Sequence, residues 1–162
     1  MNQDKSLRES LLYLMRGGGA HVDFESVVAD FPVEKVNQKI EHLPYTAWAV
    51  LEHMRIAQWD ILEFSRSAAH VSPKWPEGYW PSGEMTTDAA SAWNESVKRF
   101  RADLKEMEDL VADPKTDLFA AIPHGDGQII LREALLVADH NAYHLGVLVT
   151  MKRILSEEEP AD

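Results

Sequence analysis

Among the residues of this chain that can do chemistry, seven are histidines, and two of them, His140 and His144, stand four apart. On an α-helix that spacing sets two imidazoles about 40° apart and one turn above each other, so both can reach a single ion. Glu133, Val137, Val147 and Met151 fall on the same stripe, and three of those four are apolar, which turns the pair toward a protein interior. His53 has similar company in Thr46, Ala49, Ile56, Ala57, Asp60 and Phe64. A catalytic metal site needs three protein ligands and an open position, and these three imidazoles could supply them if their helices are neighbours. The same residues also read as buried neutral histidines, each satisfied by one hydrogen bond, and a His-x3-His pair alone does not separate the two readings.

Asp60 and Glu133 lie two turns from His53 and His140 and are candidates to accept the free ring N–H of a ligating histidine, or else members of partly buried ion pairs. Tyr143, next to His144, could offer its hydroxyl to a substrate oxygen or pack against its surroundings. His21, His42, His70 and His124 read as structural or solvated.

Composition narrows the chemistry further. The 162 residues include no cysteine. Disulfides, thiolate zinc sites, iron–sulfur clusters and a cysteine nucleophile are therefore excluded, and any metal must take nitrogen and oxygen ligands. Imidazole suits zinc or nickel best, with iron or manganese as alternatives. With 16 Lys and Arg against 27 Asp and Glu, the net charge of -11 opposes binding to nucleic acid, which depends on clustered cations. Lys98, Arg99, Arg101 and Lys105 are interleaved with Asp103, Glu106, Glu108 and Asp109, as on a solvated helix face. No apolar run approaches a membrane span, and the polar N-terminus does not resemble a signal peptide, so a cytoplasmic, membrane-free protein is expected.

Four long helices must position the histidines. The first is expected over about Lys5 to Met15, stopped by Gly17-Gly18-Gly19. A short turn capped by Asp23 follows over Phe24 to Ala29. The second long helix is expected from near Tyr45 to about Ser67. The third begins after Thr86 or Thr87 and repeats Trp93, Val97, Phe100, Leu104, Met107 and Val111 in steps of four and three, the spacing of a bundle seam. The fourth runs from around Gln128 to Leu155, with a frayed acidic tail from about residue 156. An aromatic-rich loop with three prolines, Pro73 to Pro81, joins the second and third; a Gly-rich loop with a short extended piece near Leu118 to Ile122 joins the third and fourth. The fold class is all-α, a four-helix bundle with a long crossover connection, in one domain over 1–162.

Two of these segments resemble a known family. Trp48 to Leu62, around His53, is similar to the second-helix motif of the DinB-like superfamily, and Leu131 to Gly146, with His140 and His144, to its fourth-helix motif. The Gly17 to Val22 turn and the Trp75 to Pro81 loop match as well. The resemblance implies a homodimeric four-helix bundle that holds a divalent metal on His53, His140 and His144. It implies a metal-dependent enzyme of the thiol-transferase or hydrolase type, acting on a small molecule and in some branches using a low-molecular-weight thiol. The alternative is a non-catalytic dimeric interaction module whose metal site is structural or vestigial.

Overall fold

The computed structural model describes residues 3–81 and 88–157. Thr86 and Thr87, after which the third long helix was expected to begin, and the acidic tail beyond Glu157 lie outside them. Five α-helices are described: α1 (Gln3–Arg16), α2 (Phe24–Val28), α3 (Ala47–Arg66), α4 (Ala89–Ala112) and α5 (Ile130–Glu157). The architecture is all-α. Among the described residues the only extended pairing is a single bridge between Ala121 and Ile129, to which the expected extended piece reduces.

Local chemistry sets the helix ends. Gly17, at φ 69°, turns the chain out of α1, a left-handed conformation that glycine adopts without a Cβ penalty. Asp23, Thr46 and Asp88 are N-caps, each side chain accepting from a backbone N–H three residues on. Cap Thr46 places the start of α3 two residues later than Tyr45. At the other end of the chain, α5 continues through Ser156 and Glu157, where a frayed tail was expected.

The four long helices pack as a square. α3 lies against α4 and α5, and α1 closes the opposite corner against the same two helices. The chain therefore crosses a diagonal from α1 to α3, and the intervening residues carry α2, which lies on α5. The seam of α4 follows its periodicity: Trp93, Val97, Phe100, Met107 and Val111 are buried, and Leu104 is partly buried against both apolar clusters.

Two apolar clusters fill the bundle. One gathers α2, the N-terminal half of α3 and the C-terminal half of α5 around Trp93 and Phe100. The other gathers α1, Leu62 of α3 and the N-terminal half of α5 around Met107 and Leu118. Arg8 ties α1 to the second cluster's rim by donating to the carbonyls of Val111, Asp113 and Thr116. Between the clusters, Gln58 of α3 and Asn141 of α5 form a buried polar layer, with Gln58 donating to the Phe100 carbonyl at 2.7 Å. Buried amides persist only where they find such partners.

Candidate metal centre

The same mid-height level carries the histidines. α3 and α5 are direct neighbours, so His53 on one meets His140 and His144, one turn apart, on the other. One ring nitrogen from each lies within 4.8 Å of the other two, a group that could hold a metal ion. His53 Nε2 and His140 Nε2 are 3.1 Å apart. The His144 ring centroid is 4.6 Å from that of His53 and 4.5 Å from that of His140.

Hydrogen bonding determines what His53 offers. Its Nδ1 is 2.8 Å from the Tyr79 carbonyl, which can only accept, so Nδ1 carries the proton and Nε2 presents a lone pair toward His140. Two nitrogens that each stand about 2.05 Å from one tetrahedral ion are roughly 3.3 Å apart, close to the separation seen here. His140 Nδ1 is buried and has no partner among the described residues. Its Nε2 must then either give a proton to His53 or face the His53 lone pair with its own, and a shared cation is what reconciles two such lone pairs. The all-nitrogen donor set fits a borderline ion such as zinc or nickel.

Burial keeps these rings neutral. His140 and His144 are pushed down to about 4, chiefly by desolvation and then by the neighbouring histidines, and His53 is lowered by desolvation against the opposing pull of the Tyr79 carbonyl. The sign of the resulting pH dependence follows. Unfolded histidines take up protons near 6.5, whereas the folded pair does so only near 4, so the unfolded state binds more protons in between. Metal-free protein is expected to lose stability as pH falls from about 6.5 to about 4, with no further loss from this pair below that. Asp103, raised by burial to about 6, works in the opposite sense over the same range. Urea midpoints of chelator-treated protein, measured in an Asp103→Asn background with and without His140→Gln, check the prediction; identical pH profiles would contradict it.

An aromatic wall closes one side. Trp80 stacks on the His53 ring at 4.1 Å, and Tyr45 stacks on Trp80 at 3.8 Å. Behind it, Asp60 receives two hydrogen bonds: His70 Nε2 at 2.7 Å and the Tyr79 hydroxyl at 2.6 Å. Both carboxylate and imidazole are nearly buried, with side chains 10% and 8% exposed.

The expected supporting residues thus take other roles. Asp60 bonds none of the three clustered histidines; it anchors Tyr79, and the Tyr79 backbone orients His53. Glu133 is buried, as its stripe implies, but pairs with Arg132 at 2.7 Å and leaves His140 Nδ1 unpartnered. Tyr143 is 72% exposed and meets the His144 ring edge-on at 4.9 Å. His70, expected to be structural or solvated, is structural: its ring holds Asp60 behind the aromatic wall. Its reach back to Asp60, ten residues earlier, has no helical spacing to announce it. His21 and His42 are exposed, and His124 bonds the Phe64 carbonyl.

A family model described as the DinB superfamily matches residues 19–148, a span that includes all three histidines and both the 17–46 and 67–88 connections almost in full. None of the curated proteins and none of the solved structures compared with the chain matches it.

Proposed function

The chain belongs to the DinB superfamily, and from that premise we propose that it is a metal-dependent enzyme acting on a small molecule, with His53, His140 and His144 holding a divalent ion. The observation that carries the reading is the Nε2 of His53, left with a free lone pair because the Tyr79 carbonyl holds the ring's proton on Nδ1, and set 3.1 Å from the Nε2 of His140. A divalent ion on neutral imidazoles keeps its full charge, and so activates a water or a thiol near neutral pH and polarises an oxygen.

The chain's own residues set the conditions around that chemistry. Tyr79 fixes the tautomer and plane of His53. Trp80 and Tyr45 shield one face of the centre from water, which strengthens electrostatic effects inside it. Exposed Tyr143 marks the side on which a substrate can approach His144. Because the chain has no cysteine, a thiol-transfer reaction must draw its sulfur from a low-molecular-weight thiol as co-substrate. Zinc or nickel is the proposed metal, and a homodimer the proposed assembly.

Protein loaded with zinc or nickel is expected to join a low-molecular-weight thiol to an alkyl electrophile, forming the S–C bond as the leaving group departs. Chelation should abolish the reaction and re-addition of metal restore it. Metal retained with no conjugation across a broad thiol panel would remove the transferase version and leave ester and amide hydrolysis as the assay. The interaction-module reading predicts a different pair of results: no turnover in either assay, and a large fall in melting temperature when the metal is withdrawn.

A further inference from the structure

A chain of amide hydrogen bonds crosses the bundle beside the histidines. Gln58 of α3 donates from Nε2 to the Phe100 carbonyl of α4 at 2.7 Å, and because that carbonyl can only accept, the direction of the Gln58 amide is fixed. Its Oε1 then accepts from Asn141 Nδ2 of α5 at 2.8 Å. Both residues are buried, and the inward residues to either side are apolar: Met54 and Leu62 on α3, Ala138 and Leu145 on α5.

Stability alone does not account for this pair. Replacing two buried, hydrogen-bonded groups by apolar side chains of the same shape is nearly neutral or even stabilising, and Asn141 Oδ1 has no hydrogen-bond partner among the described residues. What a directional bond adds to apolar packing, which has no direction, is a fixed register between the elements it joins.

The two helices it joins, α3 and α5, are the ones that carry the three histidines, and Asn141 lies within the turn that His140 and His144 bracket. A helix with its side chains is about 5–6 Å in radius, so rotating α5 by only 10° moves an imidazole nitrogen by about 1 Å. A metal centre holds its ligands to within about 0.5 Å. Apolar contacts absorb a shift of that size; a hydrogen bond of 2.8 Å does not.

We propose that the Gln58–Asn141 pair is the positioning element of the three-histidine centre, fixing the rotation of α5 against α3 so that His140 and His144 meet His53. The proposal rests on the metal reading given above. Neither amide belongs to the metal-binding group, so both act through the histidines. The Phe100 carbonyl completes the device, because it ties Gln58 to α4 and keeps its amide from turning with α5.

The experiment measures zinc affinity, and the melting temperature of metal-free protein, in two variants of the full-length chain. Gln58→Met/Asn141→Leu replaces both amides by apolar side chains of nearly the same shape, and Asn141→Ala removes the donor without adding volume. The double variant should melt close to wild type yet bind zinc about 10- to 100-fold more weakly, the range found when groups that support metal ligands are removed. Asn141→Ala should melt lower and bind zinc as weakly. A merely structural role moves the melting temperature alone, so wild-type zinc affinity in either variant, if folded, would overturn the proposal. A second readout needs no metal. In NMR spectra of metal-free protein, through-space contacts between the ring protons of His53 and His140 are expected in wild type and should weaken or vanish in both variants; contacts of unchanged intensity would overturn the proposal as well. Wild-type protein that binds no zinc would end the metal reading, and the ring contacts would still decide whether the amide pair brings the histidines together.

Discussion

His53→Ala is expected to lower the affinity for zinc or nickel by on the order of 1,000-fold, about 4 kcal/mol. The substitution removes the only ligand from α3 and leaves His140 and His144, a two-point site on a single helix turn that lacks the third donor of a stable centre. Competition with a chromophoric chelator measures the affinity directly. Part of the effect could come from the fold, because His53 is 3% exposed and also serves as the stacking partner of Trp80. His53→Gln separates the two: its amide can still donate to the Tyr79 carbonyl and fill much of the space, yet it is a poor ligand for these metals. Metal affinity should therefore fall in both variants, and the melting temperature of metal-free protein should fall more in His53→Ala. His140→Ala and His144→Ala should each match the loss. Wild-type affinity in all three alanine variants would remove the metal centre from this protein.

The inward direction of the three histidines was legible because each sits on a helix whose apolar residues repeat at 3.6; that His53 meets the other two depended on which helices are neighbours, which the family resemblance implied and periodicity did not. The α4 seam from Trp93 to Val111 was legible for the same reason. What surrounds the site was not, and the reason differs from residue to residue. Tyr79 acts through its carbonyl, an atom that every residue has, so no side-chain pattern could reveal it. His70 and Asp60 meet because the chain leaves α3 and folds back, a path that depends on loop geometry and has no period. The aromatic residues of one loop divide without any sequence signal: Trp80 stacks on His53, while Trp75 is 71% exposed. Glu133 shows the limit of a correct stripe: the face was right, but the adjacent Arg132, a partner that helix geometry disfavours, takes up its charge. Gln58 and Asn141 did leave a signal, amides on otherwise apolar inward faces between Met54 and Leu62 and between Ala138 and Leu145, which only pairing across helices turns into a polar layer.

Asp60→Ala should lower metal affinity by about 10- to 100-fold although Asp60 touches no metal ligand, the range found when the groups behind a metal-binding histidine are removed. Its carboxylate holds the Tyr79 hydroxyl, and the Tyr79 carbonyl holds His53, so the loop loses its grip on the imidazole when the carboxylate goes. Tyr79 is pushed up to about 12 by burial first and then by Asp60, so it remains a donor throughout the accessible range. Alanine would also strand the nearly buried His70 Nε2, at about 1–3 kcal/mol, and take the Asp60 partner from the partly buried Tyr79 hydroxyl. Asp60→Asn should be far milder. Its Oδ1 can accept from Tyr79, and its amide can donate to His70 once that ring moves its proton to Nδ1, so both contacts survive with one tautomer exchanged. A merely structural role for Asp60 predicts instead that affinity is unchanged wherever the variant is folded. Trp93→Ala supplies the reference for that case: it should cost about 3–5 kcal/mol of stability by hollowing the core, yet leave metal affinity within a few-fold of wild type well below its melting temperature. Asp60→Ala and Trp93→Ala should thus both melt early, and only the first should bind metal weakly; Tyr79→Phe, which removes the hydroxyl alone, should fall on the Asp60 side of that division.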